Sequence, residues 1–143
     1  MSVLDERPTG PAADLPADLP PAGDGWLAVC RIEHLAPERG AAALVAGEQV
    51  ALFRLLDGSV LAVQQRDPFS GAHVLARGIV GSRRVDDGTL APTVASPMYK
   101  QVFDLRTGRC LDPAGKEPVA GGPDLRTWPV RVVDGTVLVG VGA

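Results

Sequence analysis

The sequence has few of the side chains that bind metals. Its 143 residues include 2 cysteines and 2 histidines, and Cys30, Cys110, His34 and His73 form no cluster in the chain. Metal sites built from such ligands place them at short spacings, as in Cys-x-x-Cys pairs. A cysteine in a reducing compartment rarely forms a disulfide and usually packs as a small apolar side chain. The sequence therefore predicts two buried, unreactive thiols and no metal site.

Long apolar runs and an excess of positive charge are also missing. The apolar segments are too short to cross a bilayer, and the N-terminus lacks the layout of a secretory signal. The formal net charge is −3 and no basic patch stands out, which argues against nucleic acid and against an anionic membrane surface. The glycine-rich segments lack the spacings of dinucleotide-binding and phosphate-binding loops. We therefore expect a cytoplasmic protein with neither nucleic acid nor membrane as a partner.

Proline is concentrated near the N-terminus, where it divides the chain into two parts. Residues 1–24 combine prolines with acidic and small residues and a repeated Asp-Leu-Pro. A segment of this composition buries too little apolar surface to offset its ordering entropy. We expect a disordered tail at 1–24 and one folded domain at 25–143. The tail is interpreted as a tether, with a short partner-binding motif around Leu15 and Leu19 as the alternative.

Short apolar runs separated by turn residues fill the rest of the chain. Asp57-Gly58 and Asp134-Gly135 each stand between two such runs, which is a strong hairpin pattern, and residues 106–108 make a third turn. Residues 26–30 form the predicted opening strand. Only residues 38–45 could hold a turn or two of helix, which their glycine weakens. The sequence predicts an all-β domain, a small sandwich or barrel of short antiparallel strands.

Two segments, Asp67-Pro68-Phe69-Ser70-Gly71 and Ser96-Pro97-Met98-Tyr99-Lys100, have the spacing of the two ligand loops of a Rieske iron–sulfur domain. A Rieske centre takes two cysteines and two histidines. Their usual form is Cys-x-His in one loop and Cys-x-x-His in the next. Neither segment contains one of these ligands. The degenerate ligand positions are Asp67 and Ser96 for cysteine, and Phe69 and Tyr99 for histidine.

The same segments, taken with their flanks, resemble the small subunit of assimilatory NAD(P)H-dependent nitrite reductase. The resemblance covers about Trp26 to Val141, leaves out the tail, and implies a Rieske-like β-sandwich that has lost its cluster. It is carried by residues 67–81 and 95–105, and by Trp26-Leu27-Ala28-Val29-Cys30, Val50-Ala51-Leu52-Phe53-Arg54 and Trp128-Pro129-Val130-Arg131-Val132.

The resemblance also implies a function and a partner. That enzyme reduces nitrite to ammonium in nitrate assimilation, with electrons drawn from reduced nicotinamide. Its large subunit carries the flavin FAD, an iron–sulfur cluster and siroheme. By resemblance, this chain is a non-catalytic subunit of an oxidoreductase, accompanies the large subunit and binds none of these cofactors itself.

The residues at the degenerate positions have structural interpretations. Phe69 and Tyr99 would fill the space that a cluster and its imidazoles leave, because an empty void of that size is strongly destabilising. Asp67 and Ser96 precede prolines and suit the starts of turns, because their side chains can accept hydrogen bonds from nearby backbone N–H groups.

The tips of the two loops are predicted to dock on the large subunit. Aromatic residues, methionine and a cation at a loop tip are typical of protein–protein interfaces. The alternative is that Phe69 and Met98 pack inward and stabilise the loops. The candidate docking residues are Phe69, Ser70, Met98, Tyr99 and Lys100.

Other functions rest on single features. Ser96, His73 and Asp67 suggest a hydrolase trio, but the Gly-x-Ser-x-Gly pattern is absent and Pro97 lacks the N–H that an oxyanion hole would use there. Asp67 and Tyr99 suggest an electron carrier with an unusual metal site, although a lone Tyr–Asp pair is not a cluster site. A stand-alone Rieske-like module that binds another reductase is the alternative to the subunit.

Overall fold

The chain folds almost entirely into β-strands, as the sequence predicts. The computed structural model describes residues 25–119 and 121–141, so the predicted tail at 1–24 lies outside the described residues. Within these ranges there are two short 3₁₀ helices, Ile32–His34 and Leu75–Arg77, and no helix that could cross a membrane. The strands are β1 (Trp26–Arg31), β2 (Arg39–Val45), β3 (Glu48–Arg54), β4 (Val60–Gln64), β5 (Ile79–Arg84), β6 (Leu90–Ala95), β7 (Val102–Asp104), β8 (Cys110–Asp112), β9 (Thr127–Trp128), β10 (Val130–Val133) and β11 (Thr136–Gly140).

The strands form three sheets. In order across each sheet they are β1-β11-β10, β2-β3-β4-β9 and β5-β6-β7-β8. The first and last strands pair with each other, from Trp26 opposite Gly140 to Arg31 opposite Thr136. Every strand pair in the three sheets is antiparallel, so the predicted all-β architecture of short antiparallel strands is confirmed.

Strand β3 is buried on both faces from Val50 to Phe53, and it separates two apolar cores. β3 alternates between them, with Val50 and Leu52 in the first core and Ala51 and Phe53 in the second. A strand covered on both faces is a continuous apolar run rather than an alternating one, which is what β3 shows. The second core also contains Phe69 and therefore lies directly beneath one of the two loops singled out above.

The predicted turns form hairpins. Asp57-Gly58 joins β3 to β4, Asp134-Gly135 joins β10 to β11, and the turn at 106–108 lies between β7 and β8. Asp134 and Gly135 have φ angles of 50° and 81°, the left-handed pair that a tight two-residue hairpin requires. Two further hairpins, at Ala46-Gly47 and Asp87-Gly88, close β2 on β3 and β5 on β6 and are not among the predicted turns.

The turn or two of helix that residues 38–45 could hold does not form, because Arg39–Val45 is strand β2. The strand pairs with β3 along its whole length. Its alanines favour a helix when taken alone. Hydrogen bonding to a buried strand and packing of Ala41 and Ala43 against the first core outweigh that preference, as tertiary context often does for weakly biased segments.

Gly40 in β2 allows the sheet to approach the segment that follows the first loop. A Cβ at this position would lie 2.4 Å from the carbonyl oxygen of Ala76 and 2.7 Å from Cε1 of Phe53. We predict that Gly40→Ala lowers the free energy of unfolding by about 2–3 kcal/mol, because overpacking displaces backbone. Gly122→Ala is the control, since its Cβ would meet nothing within 4 Å. Urea unfolding compares the two variants, and equal stabilities would contradict the close approach.

Candidate functional site

The first loop, residues 67–72, follows β4 and closes on itself through hydrogen bonds. The Asp67 N–H donates to the Ala72 carbonyl at 2.8 Å, and the Gly71 N–H donates to the Asp67 carbonyl at 2.7 Å. The Asp67 carboxylate accepts a third bond, from the Phe69 N–H at 2.8 Å. This is the aspartate-initiated turn that the sequence predicts. Gly71 supplies its left-handed residue, at a φ of 81°.

The second loop, residues 96–101, lies between β6 and β7 and repeats the same set of bonds. The Ser96 N–H donates to the Gln101 carbonyl at 2.9 Å, and the Lys100 N–H donates to the Ser96 carbonyl at 3.0 Å. Ser96 Oγ accepts a bond from the Met98 N–H at 3.2 Å. The two loops are therefore equivalent position by position, although their sequences share only the proline in second place.

The starting residues of the two loops are bonded to each other. The Ser96 hydroxyl donates to Asp67 Oδ2 at 2.6 Å, and both side chains are buried. Asp67 Oδ1 is already occupied by the backbone of its own loop. Buried polar groups are stabilising only when they are hydrogen-bonded. Here the Ser96 hydroxyl supplies the donor and Asp67 Oδ2 supplies the acceptor. The two degenerate cysteine positions thus join the loops directly.

Phe69 fills the space beneath the first loop, as the sequence predicts. Its side chain is 4% exposed, and its ring centre lies 6.1 Å from that of Phe103 at an interplanar angle of 52°. A tilted aromatic pair of this kind contributes beyond the burial of its area. The ring belongs to the second core, so the expectation that Phe69 is displayed at the loop tip is wrong, and the alternative of inward packing is correct for this residue.

Tyr99 does not fill a void, and that prediction is wrong. The side chain is 46% exposed, and the Lys116 ammonium lies 4.7 Å from the ring centre. Phe69 is the third residue of its loop, whereas Tyr99 is the fourth of the equivalent loop, so the two turns direct these side chains differently. On the surface, the ring can stack with a cation.

The four degenerate positions do not fit an iron–sulfur cluster. Iron in these clusters is held by thiolates and imidazoles. Asp67 and Ser96 are bonded to each other, Phe69 is a hydrocarbon inside the core, and Tyr99 faces solvent. In the described part of the chain, no group of three or more His, Cys, Asp or Glu side chains could hold a metal ion. These donors therefore support no electron transfer through a cluster at this site.

The other candidate residues are not brought together. Ser96 bonds Asp67 with no histidine between them and His73 is exposed, so the hydrolase trio is not assembled. Cys30 is buried, and desolvation together with the charge of Glu33 raises the pKa of its thiol to about 12. Cys110 is only partly buried, and desolvation raises the pKa of its thiol as well. Since the thiolate is the reactive form, these upward shifts of the pKa disfavour reaction at either thiol.

The exposed part of the site consists of the second loop and a covering segment, residues 113–119. The Val119 N–H donates to the Pro68 carbonyl at 2.9 Å, while Lys116 stacks over Tyr99, so the covering segment contacts both loops. Met98 is 43% exposed, which makes the alternative of inward packing wrong for it. No sequence pattern predicts the position of the covering segment. It is an irregular stretch whose position is set by contacts with Pro68 and Tyr99, which are distant from it in sequence.

Lys100 occupies a strained backbone position at the tip of the second loop. Its φ is 63°, in the left-handed region that favours glycine, and the equivalent residue of the first loop is Gly71. The side chain is exposed and forms no ion pair with an acidic side chain among residues 25–119 and 121–141. Strain of this kind persists where the surrounding structure imposes it, and it is common at binding sites.

We predict that Ser96→Ala lowers the free energy of unfolding by about 2–3 kcal/mol, because the buried Asp67 carboxylate loses the hydroxyl donor that joins the loops. Thr89→Ala is the matched control: the Thr89 hydroxyl also donates to an aspartate, Asp87, at 2.6 Å, but on the surface. Its loss should cost less than about 0.5 kcal/mol. Urea unfolding measures both, and a Ser96→Ala effect no larger than the control would mean that the buried bond contributes little.

Comparison with known proteins identifies relatives of this chain. A family profile described as a Rieske-like [2Fe-2S] domain matches residues 25–140. The nitrite reductase (NADH) small subunit of Salmonella typhimurium is 41% identical over 88 residues, which are 61% of this chain and 77% of that protein. The nitrite reductase [NAD(P)H] large subunit of Klebsiella oxytoca is 38% identical over 115 residues, which are 80% of this chain but 11% of that protein.

A solved structure agrees with the sequence relatives. The crystal structure of a Mycobacterium tuberculosis protein, proposed to be an NADH-dependent nitrite reductase small subunit, superimposes with a TM-score of 0.68 at 45% identity. The match covers 82% of this chain and 96% of that one. The structural match thus covers nearly the whole of that chain, and the family profile spans both loops of this one. This chain belongs to the family of nitrite reductase small subunits, whose fold is a Rieske-like domain.

Proposed function

We propose that this chain associates with the large subunit of an NAD(P)H-dependent nitrite reductase and takes part, as its small subunit, in the reduction of nitrite to ammonium. The proposal rests on the match to the Klebsiella oxytoca large subunit. In that protein, a region similar to this chain is part of the large-subunit polypeptide itself. A domain that is covalently attached to its partner in one organism and separate in another is expected to contact that partner in both. The small-subunit relatives favour this role over a stand-alone module.

In this proposal the chain supplies no redox group and has no catalytic site of its own. The FAD, siroheme and iron–sulfur cluster implied by the resemblance belong to the large subunit, where they would carry electrons from reduced nicotinamide to nitrite. The residues of this chain bind the partner and stabilise its folded state by mass action, which is sufficient for a supporting role. The cytoplasmic location stays a prediction.

The exposed end formed by the second loop and the covering segment is the proposed docking surface. It combines two exposed apolar side chains, Met98 and Tyr99, with the cations Lys100 and Lys116. Partly buried Ser70 lies at its margin. Aromatic residues and methionine are enriched in interface centres, and cations at the rim steer the approach of an acidic partner. Phe69 supports this surface from inside and does not take part in it.

We expect nicotinamide-dependent nitrite reduction by the large subunit to depend on this chain. The large subunit is produced with and without the chain, and its activity, flavin content and siroheme content are compared. Loss of activity or of either cofactor in the absence of the chain is the expected result, since an unsupported partner is less stable. Full activity without the chain, together with a failure to co-purify, would contradict the subunit role.

We predict that Tyr99→Ala and Lys100→Glu each weaken the affinity for the large subunit by about five- to tenfold, because one removes an exposed aromatic contact and the other reverses a rim charge. Neither should unfold the domain, since both side chains are exposed. Leu56→Ala is the control, because Leu56 is 79% exposed on the distant β3–β4 turn. Calorimetric titration measures the affinities. Wild-type affinity in both tip variants would place the interface elsewhere.

A further inference from the structure

An open cleft lies at the base of the first loop and is lined by basic side chains. Its volume is about 430 Å³, and Arg66, His73 and Arg126 face it together with Gln64, Glu48 and Trp128. Arg66 and His73 pair across the base of the loop as an isolated antiparallel bridge. Arg66 and His73 flank one loop, whereas Arg126 lies more than 50 residues further along the chain, so the fold brings it to the other two.

The side-chain amide of Gln64 holds two of these residues in place. Its Nε2 donates to the carbonyl of Arg66 at 2.8 Å, and its Oε1 accepts the backbone N–H of Arg126 at 2.8 Å. One amide at the end of β4 therefore fixes the spacing between the backbones that carry both arginines. Because these backbones are fixed, a ligand that contacts both arginines has only their side chains left to order.

The adjacent Gln65 does the same for the third basic residue. Its Nε2 donates to the carbonyl of His73 at 3.0 Å, and its Oε1 accepts the Ala76 N–H at 2.8 Å. Gln65 is buried, so its bonds are shielded from competition with water. Consecutive glutamines thus secure the backbone at all three basic positions, which distinguishes this cleft from a chance grouping of surface cations.

The positive charge of the cleft is only partly compensated. Arg126 forms an ion pair with Glu48 and stacks 4.3 Å from the Trp128 ring centre. Arg66 is intermediate in burial as a whole residue, and its guanidinium makes no side-chain hydrogen bond or ion pair with any other residue in the described ranges. The five donors of this guanidinium are therefore available to an acceptor from outside the chain. The two arginines and one glutamate that line the cleft sum to a formal charge of +1.

We propose that this cleft receives a carboxylate from an acidic segment of the large subunit, and that Arg66 is its main contact. The inference rests on the proposed function and extends the docking surface down one side of the first loop. Arg66 connects the two regions. A Cβ built on Gly71 would lie 3.7 Å from Nη2 of Arg66 and also 3.7 Å from Cγ2 of Val119 in the covering segment. A planar guanidinium binds carboxylate oxygens in a bidentate fork, which suits aspartate or glutamate side chains presented at an open cleft.

The test compares charge reversals inside and outside the cleft. Calorimetric titration of the full chain into the large subunit, at low ionic strength, measures Arg66→Glu against Arg83→Glu. The control makes the same charge change on exposed β5, which does not line the cleft. We expect Arg66→Glu to weaken the affinity about tenfold and Arg83→Glu to change it less than about twofold. Equal losses for the two variants would overturn the proposal, because they would reflect net charge alone.

Glu48 provides a test of opposite sign. Its carboxylate already pairs with Arg126, so it competes with an incoming carboxylate for the same guanidinium. We expect Glu48→Gln to tighten the affinity for the large subunit about threefold at low ionic strength. The gain should vanish at high ionic strength, where such pairs are screened. A purely structural role of the Arg126–Glu48 pair predicts no gain, so unchanged or weaker binding counts against the cleft.

A titration of the chain alone separates this proposal from the proposed function. Hexaglutamate is added to the isotopically labelled full chain, and inorganic phosphate is added in a parallel experiment at equal ionic strength. Amide shifts at Arg66, His73 and Arg126 with hexaglutamate, and weaker ones with phosphate, would support a carboxylate site even if the large subunit fails to bind. No shift at these residues, or stronger binding of phosphate, would overturn it even if the two subunits form a complex.

Discussion

One buried hydrogen bond, from the Ser96 hydroxyl to Asp67 Oδ2, sets the arrangement of the whole site. It ties together two loops that are each closed by their own backbone bonds, so neither loop can move without breaking a buried contact. The same bond occupies the side chains at both degenerate cysteine positions, which leaves no free donor there for a metal. With the loop bases fixed in this way, the first loop can place Phe69 in the core while the second presents Met98 to solvent.

The two loops share one bonding pattern but have different uses. The third residue of the first loop is Phe69, which is buried, and the third residue of the second is Met98, which is exposed. The left-handed position is Gly71 in one and Lys100 in the other, so the second loop carries strain that the first avoids. The covering segment bonds the backbone of the first loop at Pro68. The first loop thus packs its third residue into the core, and the second loop exposes the equivalent side chain to solvent.

The sequence is informative where the interactions are local. Asp-Gly turns determine their own backbone geometry, so the hairpins at Asp57 and Asp134 are predictable, as is the turn that begins at Asp67. The strand at 39–45 is not predictable in this way. Its conformation depends on pairing with β3, whereas its alanines favour a helix. Tyr99 is misjudged for a related reason: the ligand spacing identifies the position, but only the path of the turn decides whether a ring points inward. The basic cleft is invisible in the sequence, since Arg126 reaches it through a strand pairing between β4 and β9.

Holding two loops by a hydrogen bond rather than by a metal cluster changes what the site can tolerate. A buried bond to a charged acceptor contributes roughly 1.5–3 kcal/mol, far less than a set of metal–ligand bonds. The first loop gains further stability from the buried ring of Phe69 and from the hydrogen bonds of Gln65 to the base of the loop. These groups lie in or next to the second core. The second loop is anchored at its two ends, because Ser96 and Gln101 are buried, whereas Met98 and Tyr99 between them are exposed. The exposed side chains can change rotamer without disturbing the buried ends of the loop. Residues other than cluster ligands thus hold both loops in place, the first with its ring inside the core and the second with its central side chains in solvent.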